Sequence, residues 1–249
     1  MQHINFLGTQ MNACTMRETV EMIHNRISNN QFTQHVVVNV AKLVNMQKDK
    51  TLHTAVESCD IINIDGMGVV WGARFLGKKV PERVAGIDLF YALISLANDK
   101  GYPVYLLGAK QEVVEIAAQK LTSQYQNLVL AGYHNGYFWE NEQSVVNEIR
   151  KSGAKLLFVA ITSPKKETFI NKWKEQLGVD FVMGVGGTFD IVADKVKRSP
   201  KWMQETGLEW LFRTIQEPRR MWKRYLVTNS YFALLLIESK LYQFSQSFK

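Results

Sequence analysis

Cysteine, proline and paired acidic residues are scarce in this chain. Only two cysteines occur, Cys14 and Cys59, each in an apolar context and without a second ligand at metal spacing. A disulfide framework and a zinc site are therefore not expected, and a reducing, cytoplasmic setting is. Five prolines and sixteen glycines form no low-complexity linker, and no fixed-period self-similarity is present, which argues against a solenoid. The five histidines, at positions 3, 24, 35, 53 and 134, show no metal-ligand spacing, and no Asp-x-Asp occurs. A metal-bridged diphosphate is thus not indicated, and the expectation is no metal and no cofactor. The first eight residues lack a basic stretch followed by an apolar one, so no export signal is expected. The longest strongly apolar run near the C-terminus, residues 231–237, falls far short of the roughly 20 residues that a spanning helix needs.

What remains is a chain of 249 residues, 46% apolar, enough to bury one sizeable core. Up to residue 190, short apolar runs alternate with longer stretches at helical spacing. Strands are predicted at 4–7, 35–38, 60–64, 103–107, 128–131, 155–161 and 180–184, and helices at 16–27, 51–58, 87–98, 111–123, 142–150 and 165–177. Most of the strand runs are β-branched or leucine-rich without clean alternation, as suits strands covered on both faces. The expected fold class is α/β: a Rossmann-like layered domain with a largely parallel sheet over residues 1–194, followed by a helical, basic C-terminal appendage over 195–249. In such sheets, ligands gather beyond the C-terminal ends of the strands.

The appendage holds most of the charge. Between residues 195 and 224 lie nine Lys or Arg against three Glu, a net +6 of the chain's +7. That concentration implies an anionic partner. Leu208, Leu211, Phe212 and Ile215 mark one helix face, and Pro218 opens a second helix. On the second helix Met221, Trp222, Tyr225 and Leu226 share one arc, while Arg219, Arg220, Lys223 and Arg224 occupy the opposite one. Two readings fit: a basic amphipathic helix lying in a membrane interface, or a surface helix packed on the domain with solvated arginines.

Three places carry chemistry. Asp65 ends an apolar run beside Gly66, either as a general base that deprotonates an attacking hydroxyl or as the cap of the next helix. Arg83 and Asp88 precede and open a helical stretch; they could hold phosphate and sugar hydroxyls, or form an ordinary loop and helix start. Gly184-Val-Gly-Gly-Thr-Phe-Asp190 follows a strand, and the amides of Gly186 and Gly187 could receive phosphate. As a dinucleotide fingerprint it fails, because Phe189 takes the last glycine's place and a basic tail follows.

The order of these pieces resembles the WecG/TagA/CpsF glycosyltransferases of bacterial surface-polysaccharide synthesis. The likeness rests on Asp65-Gly-Met-Gly, Arg83-Val-Ala-Gly-Ile-Asp88, Leu107-Gly-Ala109, Ser163-Pro-Lys-Lys-Glu167, Gly184 to Asp190, Lys197-Arg-Ser-Pro200, and Gly207 to Arg213 through Glu217 to Tyr225. The resemblance implies an inverting, metal-independent transfer from a UDP-sugar to a sugar on undecaprenyl diphosphate. It implies Asp65 as base, Asn39 lining the pocket and Arg83 facing the donor. Asp88, Lys166, Glu167, Gly186, Gly187 and Asp190 would bind the donor, and Arg213, Arg220 and Arg224 would close over the diphosphate. The same likeness implies a peripheral protein on the inner face of the cell membrane, held there by its tail and compatible with a homo-oligomer. Two positions depart from the family pattern, Val37 in place of Thr and Lys166 in place of Gln. Both border the donor site, which leaves N-acetylmannosamine, glucose or a uronic acid open. Lys166 could pair with a sugar carboxylate, or be a solvated helix-start lysine. The competing reading is a basic nucleic-acid-binding protein without catalysis, but the basic and aromatic residues concentrate on one helix rather than over a domain surface. No nucleic-acid partner is therefore expected.

Overall fold

The computed structural model describes residues 2–246, with the Arg220 side chain excepted. The chain begins with β1 (His3–Phe6), β2 (Thr9–Asn12), α1 (Met16–Ser28), β3 (Thr33–Val38), α2 (Val40–Met46), α3 (Lys50–Glu57), β4 (Ile61–Ile64) and α4 (Met67–Phe75). It continues through α5 (Gly86–Lys100), β5 (Val104–Gly108), α6 (Gln111–Gln124), β6 (Leu130–His134), α7 (Glu142–Ser152), β7 (Leu156–Ala160), α8 (Lys165–Trp173), β8 (Phe181–Gly184) and α9 (Thr188–Val192). The appendage supplies α10 (Lys201–Glu205), α11 (Glu209–Gln216) and α12 (Pro218–Gln246).

One sheet of eight strands runs in the order β1-β2-β4-β3-β8-β7-β5-β6. Every pairing is parallel except the β1–β2 hairpin at the edge. Because strand side chains alternate, each parallel strand feeds both faces. Phe158, Phe181 and Met183 point toward α1, α5, α6 and α9. Val36, Val38, Leu157, Val159 and Val182 point toward α2, α3, α4, α7 and α8. Burial on both faces explains why these runs lack a period-two pattern. The layered, largely parallel α/β architecture is as the sequence led us to expect.

Three elements depart from that reading. The β1–β2 turn places Leu7 and Gly8 both at positive φ, 51° and 83°, a geometry whose usual signal is Asn-Gly, so the hairpin is hidden by Leu-Gly. The run from Val36 to Val44 divides into β3 and α2 at Asn39, whose side chain caps α2 by accepting from the Lys42 N–H at 3.0 Å. α4 carries two internal glycines, which ordinarily weaken a helix. At Gly72 the reason is close approach: a Cβ there would lie 2.8 Å from the Phe232 ring of α12.

That contact shows how the appendage sits. Phe232 is buried in the same cluster as Val38, Leu43 and Val70, edge-on to Phe6 with ring centroids 6.2 Å apart. Full burial of such a side chain contributes about 2–3 kcal/mol. Lys240 and Gln243 of α12 donate to the carbonyls of Phe75 and Leu76 at 3.2 and 3.3 Å. The turn between α10 and α11 rests on the other end of α4, where Gly207 faces Trp71 and Met67. The appendage thus straps α4, the helix that leaves Asp65. Among the described residues no helix is long and apolar enough to cross a membrane.

Candidate active site

β4, β3 and β8 are consecutive in the sheet, and Asp65, Asn39 and the Gly186-Gly187 turn follow their C-terminal ends. The Asp65 N–H donates to the Val38 carbonyl at 2.9 Å, and the Val84 N–H donates to the Ile64 carbonyl at 2.9 Å. The first ties the end of β4 to β3, and the second holds the Arg83 loop against the end of β4. Gly66, not Asp65, is the N-cap of α4, and no side-chain bond caps that helix. The helix-cap reading of Asp65 therefore falls away.

The Asp65 carboxyl is pushed up to about 6, first by burial and then by the negative charge of Glu209, against the opposing pull of Arg83, Arg213 and the Gly86 amide. Such a carboxylate is still largely ionised at neutral pH, yet it binds a proton more tightly than an ordinary one, as suits a general base. Around it runs a ladder of ion pairs. Arg83 Nη1 meets Glu209 Oε2 at 3.2 Å, and Arg213 Nη2 meets Glu209 Oε1 at 3.0 Å. Asp88, in the first turn of α5, accepts from Arg198 at 2.6 and 2.7 Å and lies 4.0 Å from Arg83. Along this ladder Arg83 and Asp88 of the core stand between Glu209 and Arg213 of the appendage on one side and Arg198 of the appendage on the other.

A second cluster lies toward α2 and α8. Lys42 and Lys166 both reach Glu167 Oε1, at 2.8 and 3.1 Å, and all three side chains are less than a tenth exposed. Although burial opposes it, the two ammoniums hold the Glu167 carboxyl below the usual range. Burial, then Lys42, draws Lys166 below the ordinary lysine value, and Arg224 adds to that effect. Lys166 is thus not a solvated helix-start residue. Its aliphatic chain lies close over the end of β8: a Cβ on Gly184 would come within 2.7 Å of Lys166 Cε.

The family model for glycosyl transferases of the WecG/TagA/CpsF family matches residues 4–246. The chain belongs to this family. It is a glycosyltransferase, and the reading as a nucleic-acid-binding protein without catalysis is set aside. The chain is also 35% identical over 193 residues to the N-acetylglucosaminyldiphosphoundecaprenol N-acetyl-beta-D-mannosaminyltransferase of Bacillus subtilis (strain 168), covering 78% of this chain and 75% of that protein.

For this glycosyltransferase, the structure gathers Asp65, Arg83, Asp88 and Arg213 at the end of β4, with Asn39 next to them. Lys166 and Glu167 form the second cluster, near which Arg224 lies. Gly186 is in the left-handed region at φ 55°, Gly187 caps α9, and the Asp190 carbonyl accepts from the Lys195 and Val196 N–H groups. Phe189, the residue that spoils the dinucleotide pattern, is fully buried against Phe90. The Arg220 side chain lies outside the described residues. Among those described, no group of three or more His, Cys, Asp or Glu could hold a metal ion.

Sequence reasoning missed Glu209, Arg198 and Lys42. The first had a signal, its i,i+4 spacing to Arg213. Arg198 was one cation in a basic run, and Lys42 was buried in an apolar one.

Proposed function

We propose that the protein transfers a sugar from a UDP-sugar to a sugar carried on undecaprenyl diphosphate, with inversion and without a metal, in the synthesis of a bacterial surface polysaccharide. The observation that carries this is a half-buried strand-end carboxylate pushed up to about 6 with Arg83 and Arg213 acting on it. Asp65 takes the proton from the attacking hydroxyl of the acceptor. The freed oxygen bonds to the anomeric carbon on the face opposite the donor phosphate. The bond from that carbon to the phosphate oxygen breaks, and UDP leaves with the electron pair. Arg83, Arg213, Arg220 and Arg224 supply the positive charge that the departing diphosphate requires. Asn39, Asp88, Lys166, Glu167, Gly186, Gly187 and Asp190 bound the donor side.

The name of the Bacillus subtilis relative supports the acceptor class, since it describes a sugar on diphosphoundecaprenol. The outer surface of the appendage supports contact with a membrane surface, and the use of a UDP-sugar would put that contact on the inner face. Trp202, Trp222, Leu226, Leu234, Ile237 and Leu241 are each more than half exposed there. Lys201, Arg219, Lys223 and Arg224 stand among them, also exposed. Exposed apolar surface rimmed by cations fits an anionic lipid interface. The helix does not divide into one apolar and one basic side in the way its sequence suggests. Met221 is buried against the protein and Tyr225 partly so, while Trp222 and Leu226 face outward.

Asp65→Asn tests the base. It is expected to keep the fold and bind UDP while transfer to a lipid-diphosphate acceptor falls by about two to four orders of magnitude. Near-normal turnover would remove Asp65 from the role.

A further inference from the structure

Among the charged side chains around Asp65, Glu209 has the wrong sign for a site that receives a diphosphate. It stands on an appendage helix, yet its two oxygens are divided between layers, Oε2 accepting from Arg83 of the core at 3.2 Å and Oε1 from Arg213 of α11 at 3.0 Å. Its side chain is only 24% exposed, against 48% for Arg213, so it is turned inward from its own helix partner. An i,i+4 pair on a helix surface needs no such burial and no third partner.

The charges acting on Asp65 come from two sides: Arg83 from the loop before α5, and Glu209 and Arg213 from α11. The other neighbouring elements do not add to them. α2 presents the uncharged Asn39, its Lys42 being held by Glu167; α4 presents Met67 and Trp71 to the turn at Gly207; α5 adds the Gly86 amide and Asp88, which Arg198 holds. Without Glu209, Asp65 would face two unopposed guanidiniums. Burial would still hold its titration up, but the two guanidiniums would pull it down from about 6 and make it a weaker base.

We propose that Glu209 is a positioning residue for the transfer: its carboxylate, bonded at once to Arg83 of the core and Arg213 of α11, fixes both guanidiniums at the site and sets a negative charge beside them when the appendage is docked. The inference rests on the reading of Asp65 as the base. It gives the appendage a role beyond supplying cations: the appendage sets the proton affinity of the group that begins the reaction.

The test uses the full chain with Glu209→Gln and Glu209→Asp. Two quantities are read: the acid limb of kcat/KM, and the titration of the Asp65 carboxyl by carbon-13 NMR, its signal assigned by its loss in Asp65→Asn. In Glu209→Gln both are expected to move down by about one pH unit, the scale on which a neighbouring charge acts, while Glu209→Asp stays near the parent. An unchanged or raised titration in folded Glu209→Gln overturns the proposal and leaves Glu209 a structural pin. If Glu209→Gln does not fold, Arg213→Gln gives the reciprocal reading by NMR. Leaving Glu209 less opposed should raise the Asp65 titration, and a fall overturns the proposal. The two readings fail separately. Full activity in Asp65→Asn removes the base but not the electrostatic coupling, whereas an inactive Asp65→Asn with an unmoved titration in Glu209→Gln removes only the coupling.

Discussion

At Asp65, chemistry and stability should pull in opposite directions. Its carboxyl is pushed from an ordinary 3.8 to about 6 by burial and by Glu209, so the folded chain binds that proton more tightly than the unfolded chain does. Linkage then fixes the sign. The stabilising contribution of the bound proton is complete at low pH and is lost as the pH rises from 3.8 through about 6. A displacement of about two pH units corresponds to about 3 kcal/mol. Solvent reaching the open end of β4 screens it, so the penalty expected above pH 7 is about 1–2 kcal/mol. Asparagine has nearly the same shape and cannot ionise. Asp65→Asn should therefore be more stable than the parent by about 1–2 kcal/mol in urea unfolding at pH 8. Near pH 4, where the parent carboxyl is itself largely protonated, the two midpoints should converge. A variant less stable at pH 8, or one with the same gain at both pH values, would refute the argument that the base is held ionised against its surroundings.

Two further outcomes follow from the side chains around the site. Glu167→Ala leaves the Lys42 and Lys166 ammoniums buried without their shared carboxylate, and should cost about 3–5 kcal/mol, read as a lower urea midpoint at unchanged slope. An unchanged midpoint would mean that the lysines find other anions. Replacing the exposed Trp222 and Leu226 together by Glu should leave the melting temperature unchanged and abolish co-sedimentation with anionic vesicles. Retained vesicle binding would move the membrane contact elsewhere.

The layered fold was legible because parallel strands buried on both faces leave unbroken apolar runs, as at Leu156–Ala160 and Phe181–Gly184. What escaped was decided by contacts distant in the chain. α4 reads poorly as a helix because Gly72 is set by Phe232, 160 positions later. The 165–177 helix ends at Trp173, yet Leu177 remains fully buried, so the apolar spacing reported burial correctly beyond the end of the helix. At the site, Asp65 and Arg83 stood out as polar residues beside strand ends and glycines. Glu209 did not, since an acid within a basic tail reads as a solvated charge until Arg83 is seen to meet it.

α11 turns Glu209 to the core while leaving much of its hydrocarbon uncovered. No residue of this helix is buried; Glu209 and Arg213 meet at the site, while Trp210, Leu211 and Ile215 are 40, 37 and 68% exposed. A helix docked on a globular core in water would be expected to face the other way. The arrangement lowers the free energy only where the outer medium is not water, which is the condition that the proposed lipid interface supplies. There, burial of the outer residues would stabilise the docked position in which Glu209 and Arg213 reach Asp65 and Arg83. Surface binding and completion of the site would then be coupled. On the proposed reading, the free energy that would hold the protein on the membrane would also order the charges around the base, confining catalysis to the place where a lipid-linked acceptor is found.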